Sequence, residues 1–229
     1  AGLAPTMNSL DAYLDELDRA VNTPEPAYET IGLKKDGEWL QLSTNLLQIE
    51  NEFYGFIRPK QPVAFGERPI RALRERGVAY VEVRALDVNP FDPLGVGGEQ
   101  MRFMEAFLWF CLLTDSAPMN DDALSRCDID HTLVAADGRR PGLELPGLDC
   151  NRPLVEWARE ILTEMKPIAE LLDRSRGLQT YSTALAGQVE KVEASEKTPS
   201  ARLLAEVLER QSSFFEVALE LSRKHRDDL

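Results

Sequence analysis

The segment Tyr80-Val-Glu-Val-Arg84 sets a carboxylate and a guanidinium two residues apart within an alternating, β-branched run. In an extended strand successive side chains point to opposite faces, so Tyr80, Glu82, Arg84 and Leu86 share one face and Val81, Val83 and Ala85 the other. Residues two apart rise by about 6.6 Å. At that separation a carboxylate can hold Mg²⁺ on a nucleotide phosphate while the guanidinium forks onto the same phosphoryl group. The spacing equally describes a half-exposed strand with a weak pair on its solvated face, the commoner case for a lone Glu-x-Arg. Spacing alone permits phosphate handling without requiring it.

The elements around this segment follow from periodicity and turn chemistry. Asn8 or Ser9 caps a helix in which Leu10, Tyr13, Leu14, Leu17 and Val21 keep helical spacing, closed by Pro24 and Pro26. Ile31 to Leu42 reads as a β-hairpin about Asp36-Gly37, a pair suited to a tight primed turn. Leu46 to Ile57 fits either period, with a leaning to helix. Glu67-Arg-Pro69 opens a short helix that Gly77 ends, and a strand from Val78 to Leu86 follows. Asn89-Pro90 through Gly98 is a loop. The helix from about Glu99 to Thr114 is apolar nearly all round, so it is expected inside the protein with Cys111 as a small core residue. Helices near Leu154 to Arg174, Leu178 to Ala194 and Ala201 to Arg226 complete the chain, the first kinked or divided at Pro167.

Three stretches carry a family resemblance. Leu47-Gln-Ile-Glu-Asn-Glu-Phe-Tyr-Gly-Phe-Ile-Arg-Pro-Lys60, followed by Tyr80-Val-Glu-Val-Arg84 and Asp87-Val-Asn-Pro-Phe91, resembles the proteobacterial type of glutamate-cysteine ligase. The similarity runs from roughly Tyr28 to the Arg139-Arg-Pro-Gly142 region and thins over the terminal helices. It implies a glutamine-synthetase-like fold: α+β, mainly helical, with a few antiparallel strands followed by a helical C-terminal region. It further implies that Glu82 is a Mg²⁺ ligand, that Arg84 contacts the transferring phosphate and that Tyr54 lines the cysteine-substrate pocket. ATP and Mg²⁺ are the implied cofactors, and glutamate and cysteine the implied substrates.

The resemblance also exposes what is not here. Family members begin with an N-terminal part that supplies most of the metal-binding carboxylates and much of the glutamate pocket. The chain is therefore expected to be a C-terminal part, incomplete by itself. Residues 1–150 are expected to be the C-terminal part of the ligase catalytic domain, and residues 151–229 a helical region packing on it. Similar enzymes can carry a disulfide in the region of Cys127 and Cys150, while the cytoplasmic norm is two reduced thiols; both readings stand. The strand from Val78 to Leu86 is expected to present an unsatisfied edge.

Composition narrows the remaining classes. With 26 basic and 39 acidic residues the net charge is -13, which repels phosphate backbones and anionic lipid surfaces. Nucleic-acid and membrane partners are set aside. The apolar run Phe103 to Leu113 is well short of the ~20 residues a bilayer span requires. The opening residues lack the pattern of a secretory signal, so a cytoplasmic location is expected. Three cysteines and two histidines offer no zinc spacing, and His131 and His225 are expected at the surface. Gly95-Val-Gly-Gly98 matches neither the dinucleotide fingerprint nor a Walker loop and reads as a turn. Arg68, Arg71, Arg74 and Arg76, interleaved with Glu67 and Glu75, read as a solvated face. The rival to the ligase reading is a non-catalytic helical interaction or regulatory domain derived from such an enzyme.

Overall fold

Ser9 starts the first helix, its hydroxyl accepting the Ala12 N–H at 3.2 Å. The helix, α1, spans Leu10–Asn22 and buries Tyr13, Leu14, Leu17, Ala20 and Val21, the face that its periodicity marks. The computed structural model describes residues 5–148 and 150–228, so Ala1 to Ala4 of the opening segment lie outside the described residues. The chain forms two compact units, Ala1–Asp87 and Val88–Leu229.

In the first unit, α2 (Pro26–Ile31) follows α1 directly, its proline at the first turn where a missing N–H costs nothing. Strands β1 (Lys34–Lys35) and β2 (Glu38–Trp39) form the hairpin on Asp36 and Gly37, whose φ angles of 52° and 87° are those the primed turn needs. The leaning to helix over Leu46 to Ile57 is corrected. The chain makes one 3₁₀ turn at Glu50–Glu52 and then strand β3, Ile57–Lys60. Backbone pairing decides this: Leu46 and Leu47 N–H groups are spent on the Thr23 and Ala20 carbonyls, at 2.8 and 3.1 Å. Helix α3 (Pro69–Arg76) ends at Gly77, φ 73°, and strand β4 (Tyr80–Val83) runs antiparallel to β3, with Arg58 opposite Glu82 and Lys60 opposite Tyr80. The β3–β4 pair is a two-stranded sheet, so among the described residues each strand keeps one edge without a strand partner. Tyr13, Leu14, Leu17, Phe53, Ile70 and Leu73 form the core, with Phe53 edge-on to Tyr13 at 6.1 Å.

The second unit is helical: α4 (Gly98–Leu113), α5 (Asp121–Asp137), α6 (Leu154–Arg176), α7 (Thr180–Glu193), α8 (Pro199–Glu209) and α9 (Phe214–Asp228). One short strand pair, β5 (Glu144–Leu145) with β6 (Arg152–Pro153), precedes α6. Ala106 of α4 shares a core with Leu162, Met165, Ala169 and Leu172 of α6 and with Tyr181 and Leu185 of α7. Helix α4 thus shares its core with helices beyond residue 150, within the second unit.

Four expectations change here. Helix α4 is not interior: Met101, Trp109, Leu112 and Leu113 are exposed, and so is Cys111, because α6 and α7 occupy only one of its faces. Of the kink or division expected at Pro167, the division does not occur, and α6 runs through it as one helix. The expected final helix is two, separated at Gln211, whose φ of 50° is left-handed, and Ser213 with Glu216 restarts it as a reciprocal cap. His225 is half-buried, with Nε2 2.9 Å from the Pro90 carbonyl, whereas His131 is exposed as expected.

Candidate active site

The β3–β4 ladder sets the geometry of the site. Its register continues one step beyond the strands, the Arg84 N–H donating to the Phe56 carbonyl at 2.7 Å. Glu82 and Arg84 therefore share a face, and Arg84 Nη2 lies 3.1 Å from Glu82 Oε2. Lys60 Nζ reaches the same oxygen at 3.0 Å. The three side chains are about one-third exposed. The ion pairs with Lys60 and then Arg84 hold the Glu82 carboxyl below the ordinary carboxylate range.

Tyr54 joins this group from the segment before β3. The guanidinium of Arg84 lies over the Tyr54 ring, 5.3 Å from its centroid, within the range of a cation–π contact. Gly55 makes the placement workable: a Cβ there would meet Phe53 Cε1 at 3.0 Å and the Ile57 carbonyl at 3.3 Å. Phe53 can then turn into the core while Tyr54, 71% exposed, turns out.

Lys60 was the residue that strand-by-strand reading missed. The signal was the alternation Arg58-x-Lys60, which puts two cations on the face that Glu82 occupies once the register is known. Of the two, Lys60 pairs with Glu82. Arg58 is buried, donating to the Glu50 carbonyl at 3.3 Å, and Glu50 in turn accepts Arg68 Nε at 2.7 Å. The other face of the ribbon is apolar as expected, with Ile57 and Val81 exposed on it.

Cys111, Cys127 and Cys150 are free thiols, and burial, together with Asp130 and Asp128, pushes the Cys127 thiol up. The Gly95 and Gly97 N–H groups are engaged by the Asp92 carbonyl at 2.9 Å and by Gln100 Oε1 at 3.1 Å, the turn expected of them. Arg68, Arg71, Arg74 and Arg76 each pair with a carboxylate, of Glu50, Glu75, Asp15 and Glu67 respectively. Among the described residues no three His, Cys, Asp or Glu side chains converge as a metal site. Glu82 can supply one carboxylate to a bound cation and no more, since Mg²⁺ takes six oxygens. No helix among the described residues is long and apolar enough to cross a membrane.

The family model for glutamate-cysteine ligase matches residues 1–134. The chain is 49% identical over 227 residues to a glutamate–cysteine ligase of Pseudomonas paraeruginosa and 50% identical over 229 residues to one of Azotobacter vinelandii. These alignments take in 99% and 100% of this chain and 43% of each relative. The solved glutamate–cysteine ligase of Francisella tularensis in complex with AMP superposes with a TM-score of 0.89 at 36% identity, over 99% of this chain and 45% of that one. A bifunctional glutathione synthetase from Pasteurella multocida shares the fold alone, with a TM-score of 0.63 at 15% identity, over 99% of this chain and 25% of that one. The chain thus spans less than half the length of the relatives it matches. Its fold is α+β and mainly helical, a few antiparallel strand pairs among many helices. With the family model covering more than half of it, the chain belongs to the glutamate-cysteine ligase family.

Proposed function

We propose that this chain forms one wall of the active site of an ATP- and Mg²⁺-dependent glutamate–cysteine ligase. The reaction is phosphorylation of the γ-carboxylate of glutamate, followed by attack of the cysteine amine on the acyl phosphate to give γ-glutamylcysteine. This is the entry step to glutathione, carried out in the cytoplasm. The observation that carries the reading is the Tyr54, Arg84, Glu82 and Lys60 constellation on β3–β4 in a chain of this family.

In this reading Arg84 meets the transferring phosphoryl group and Tyr54 lines the cysteine pocket. Glu82 gives one carboxylate to Mg²⁺, which when bound offsets charge on the phosphate oxygens. Lys60 and Arg84, both paired with its Oε2, fix the orientation of Glu82. The remaining metal ligands and most of the glutamate pocket come from an N-terminal part of the same enzyme, because a phosphate-bridging site needs several acidic ligands. Residues 1–150 then complete the catalytic domain and residues 151–229 buttress it. The 229-residue chain supplied with ATP, Mg²⁺, glutamate and cysteine is expected to yield no γ-glutamylcysteine, while the full-length enzyme does. Robust product from the chain alone would overturn this division of labour.

A further inference from the structure

The helical unit contains an open cavity of about 660 Å³ that shares no residue with Tyr54, Lys60, Glu82 or Arg84. Its floor is apolar: Phe103 and Phe107 of α4, Ile161 and Leu162 of α6 and Val192 of α7 line it. Its volume is that of sites which enclose a drug-sized molecule. The rim differs from the rest of the molecule in charge. Arg139, Arg140, Arg159 and Lys191 line the cavity against one carboxylate, Glu193, in a chain whose net charge is -13.

Two of these cations are already neutralised. Arg159 forks onto Glu193, with Nε and Nη2 at 2.6 and 2.7 Å from its two oxygens, and Arg140 pairs with Asp137 at 3.1 Å. Arg139 has no ion pair among the described residues, and the polar contact of Lys191 is the neutral Gln188 amide at 3.4 Å. Leaving two cations unmatched beside an apolar floor, in a chain with a surplus of carboxylates, is the arrangement that receives an anionic head on an apolar body. A guanidinium fork fits a planar carboxylate and an ammonium adds a point charge.

We propose that this cavity binds a small amphipathic carboxylate, its apolar body against Phe103, Phe107 and Ile161 and its head between Arg139 and Lys191. The cavity shares no residue with the ligase constellation, so ligand binding and ligase turnover succeed or fail separately.

Isothermal titration of the full-length protein with decanoate, kept below its micelle concentration, tests this against decyltrimethylammonium, which has the same tail and the opposite charge. One saturable site for decanoate is expected, with no matching site for the cation. Ala158 also lines the cavity, so Ala158→Trp is expected to abolish the heat of binding by filling it. The double substitution Arg139→Gln with Lys191→Gln is expected to weaken decanoate by about tenfold or more. The charge variant changes rim residues and no core packing, so it decides the matter if Ala158→Trp fails to fold. Equal binding of the two amphiphiles, no saturable decanoate site, or an unchanged affinity in the charge variant each overturns the proposal.

Discussion

Glu82 shares one carboxylate oxygen between Lys60 at 3.0 Å and Arg84 at 3.1 Å, while Arg84 also stacks on Tyr54. The site thus holds its anion with two cations and its guanidinium with both an anion and a ring. Lys60 is the larger cause of the depressed Glu82 pKa. Lys60→Met is therefore expected to raise the Glu82 carboxyl toward its ordinary value of 4.5, read from the side-chain carbon shift in an NMR titration. An unchanged Glu82 titration would show that Arg84 alone sets it. Glu82 and Arg84 were legible because a period of two fixes their common face. Tyr54 was legible only through family resemblance. Lys60 was not, since pairing across strands depends on a register that no local spacing reveals.

At the scale of elements, Ser9, Asp36-Gly37 and Gly77 announced a helix start, a hairpin and a helix end, because each satisfies a backbone requirement that few residues meet. Leu46 to Ile57 was misjudged where apolar residues fit two periods, and tertiary hydrogen bonds to α1 decided the outcome. Helix α5 went unplaced because it buries almost nothing apolar; Asp130, held against the Gly147 N–H, is its buried residue. The Asn120 cap with Asp121 and Asp122 in the first turn was the available signal.

Two predictions belong to these elements. Leu14 is fully buried between α1 and α3, so Leu14→Ala is expected to cost about 2–5 kcal/mol in denaturant unfolding of the first unit. A loss well under 1 kcal/mol, on the order of a surface change, would contradict that packing. The second concerns acid. Arg76, with the Ala64 N–H, holds the Glu67 carboxyl at about 2, down from 4.5. A depressed carboxyl means that the unfolded chain binds more protons between these values, so the contribution of Glu67 is complete above 4.5 and fades as pH falls toward 2. The stability gap between the protein and its Glu67→Gln variant is expected to be constant above that window and to close within it. A gap that widens on acidification would reverse the assignment.

At the scale of the whole molecule, family membership was readable from Leu47 to Lys60 and Tyr80 to Phe91, and the structure brings the ends of those two segments together on one ribbon. The division into units depends on which helices share a core, which no local pattern reveals: α4 packs with α6 and α7, and residues 114–153 lie between α4 and α6. The chain spans 43% of the length of the glutamate–cysteine ligases it matches, and among its described residues no three metal-ligating side chains converge. Its proposed catalytic role is consequently that of a wall, one carboxylate, one guanidinium and one phenol ring presented together.

The most direct test of that role is steady-state turnover of the full-length ligase carrying Glu82→Gln or Arg84→Ala, measured beside its thermal unfolding. Both side chains are partly exposed on a two-stranded ribbon, so folding is expected to survive. Turnover is expected to fall by roughly 10²-fold or more, the scale of removing one group that stabilises transition-state charge. Near-normal turnover in both variants, with unfolding unchanged, would contradict the account.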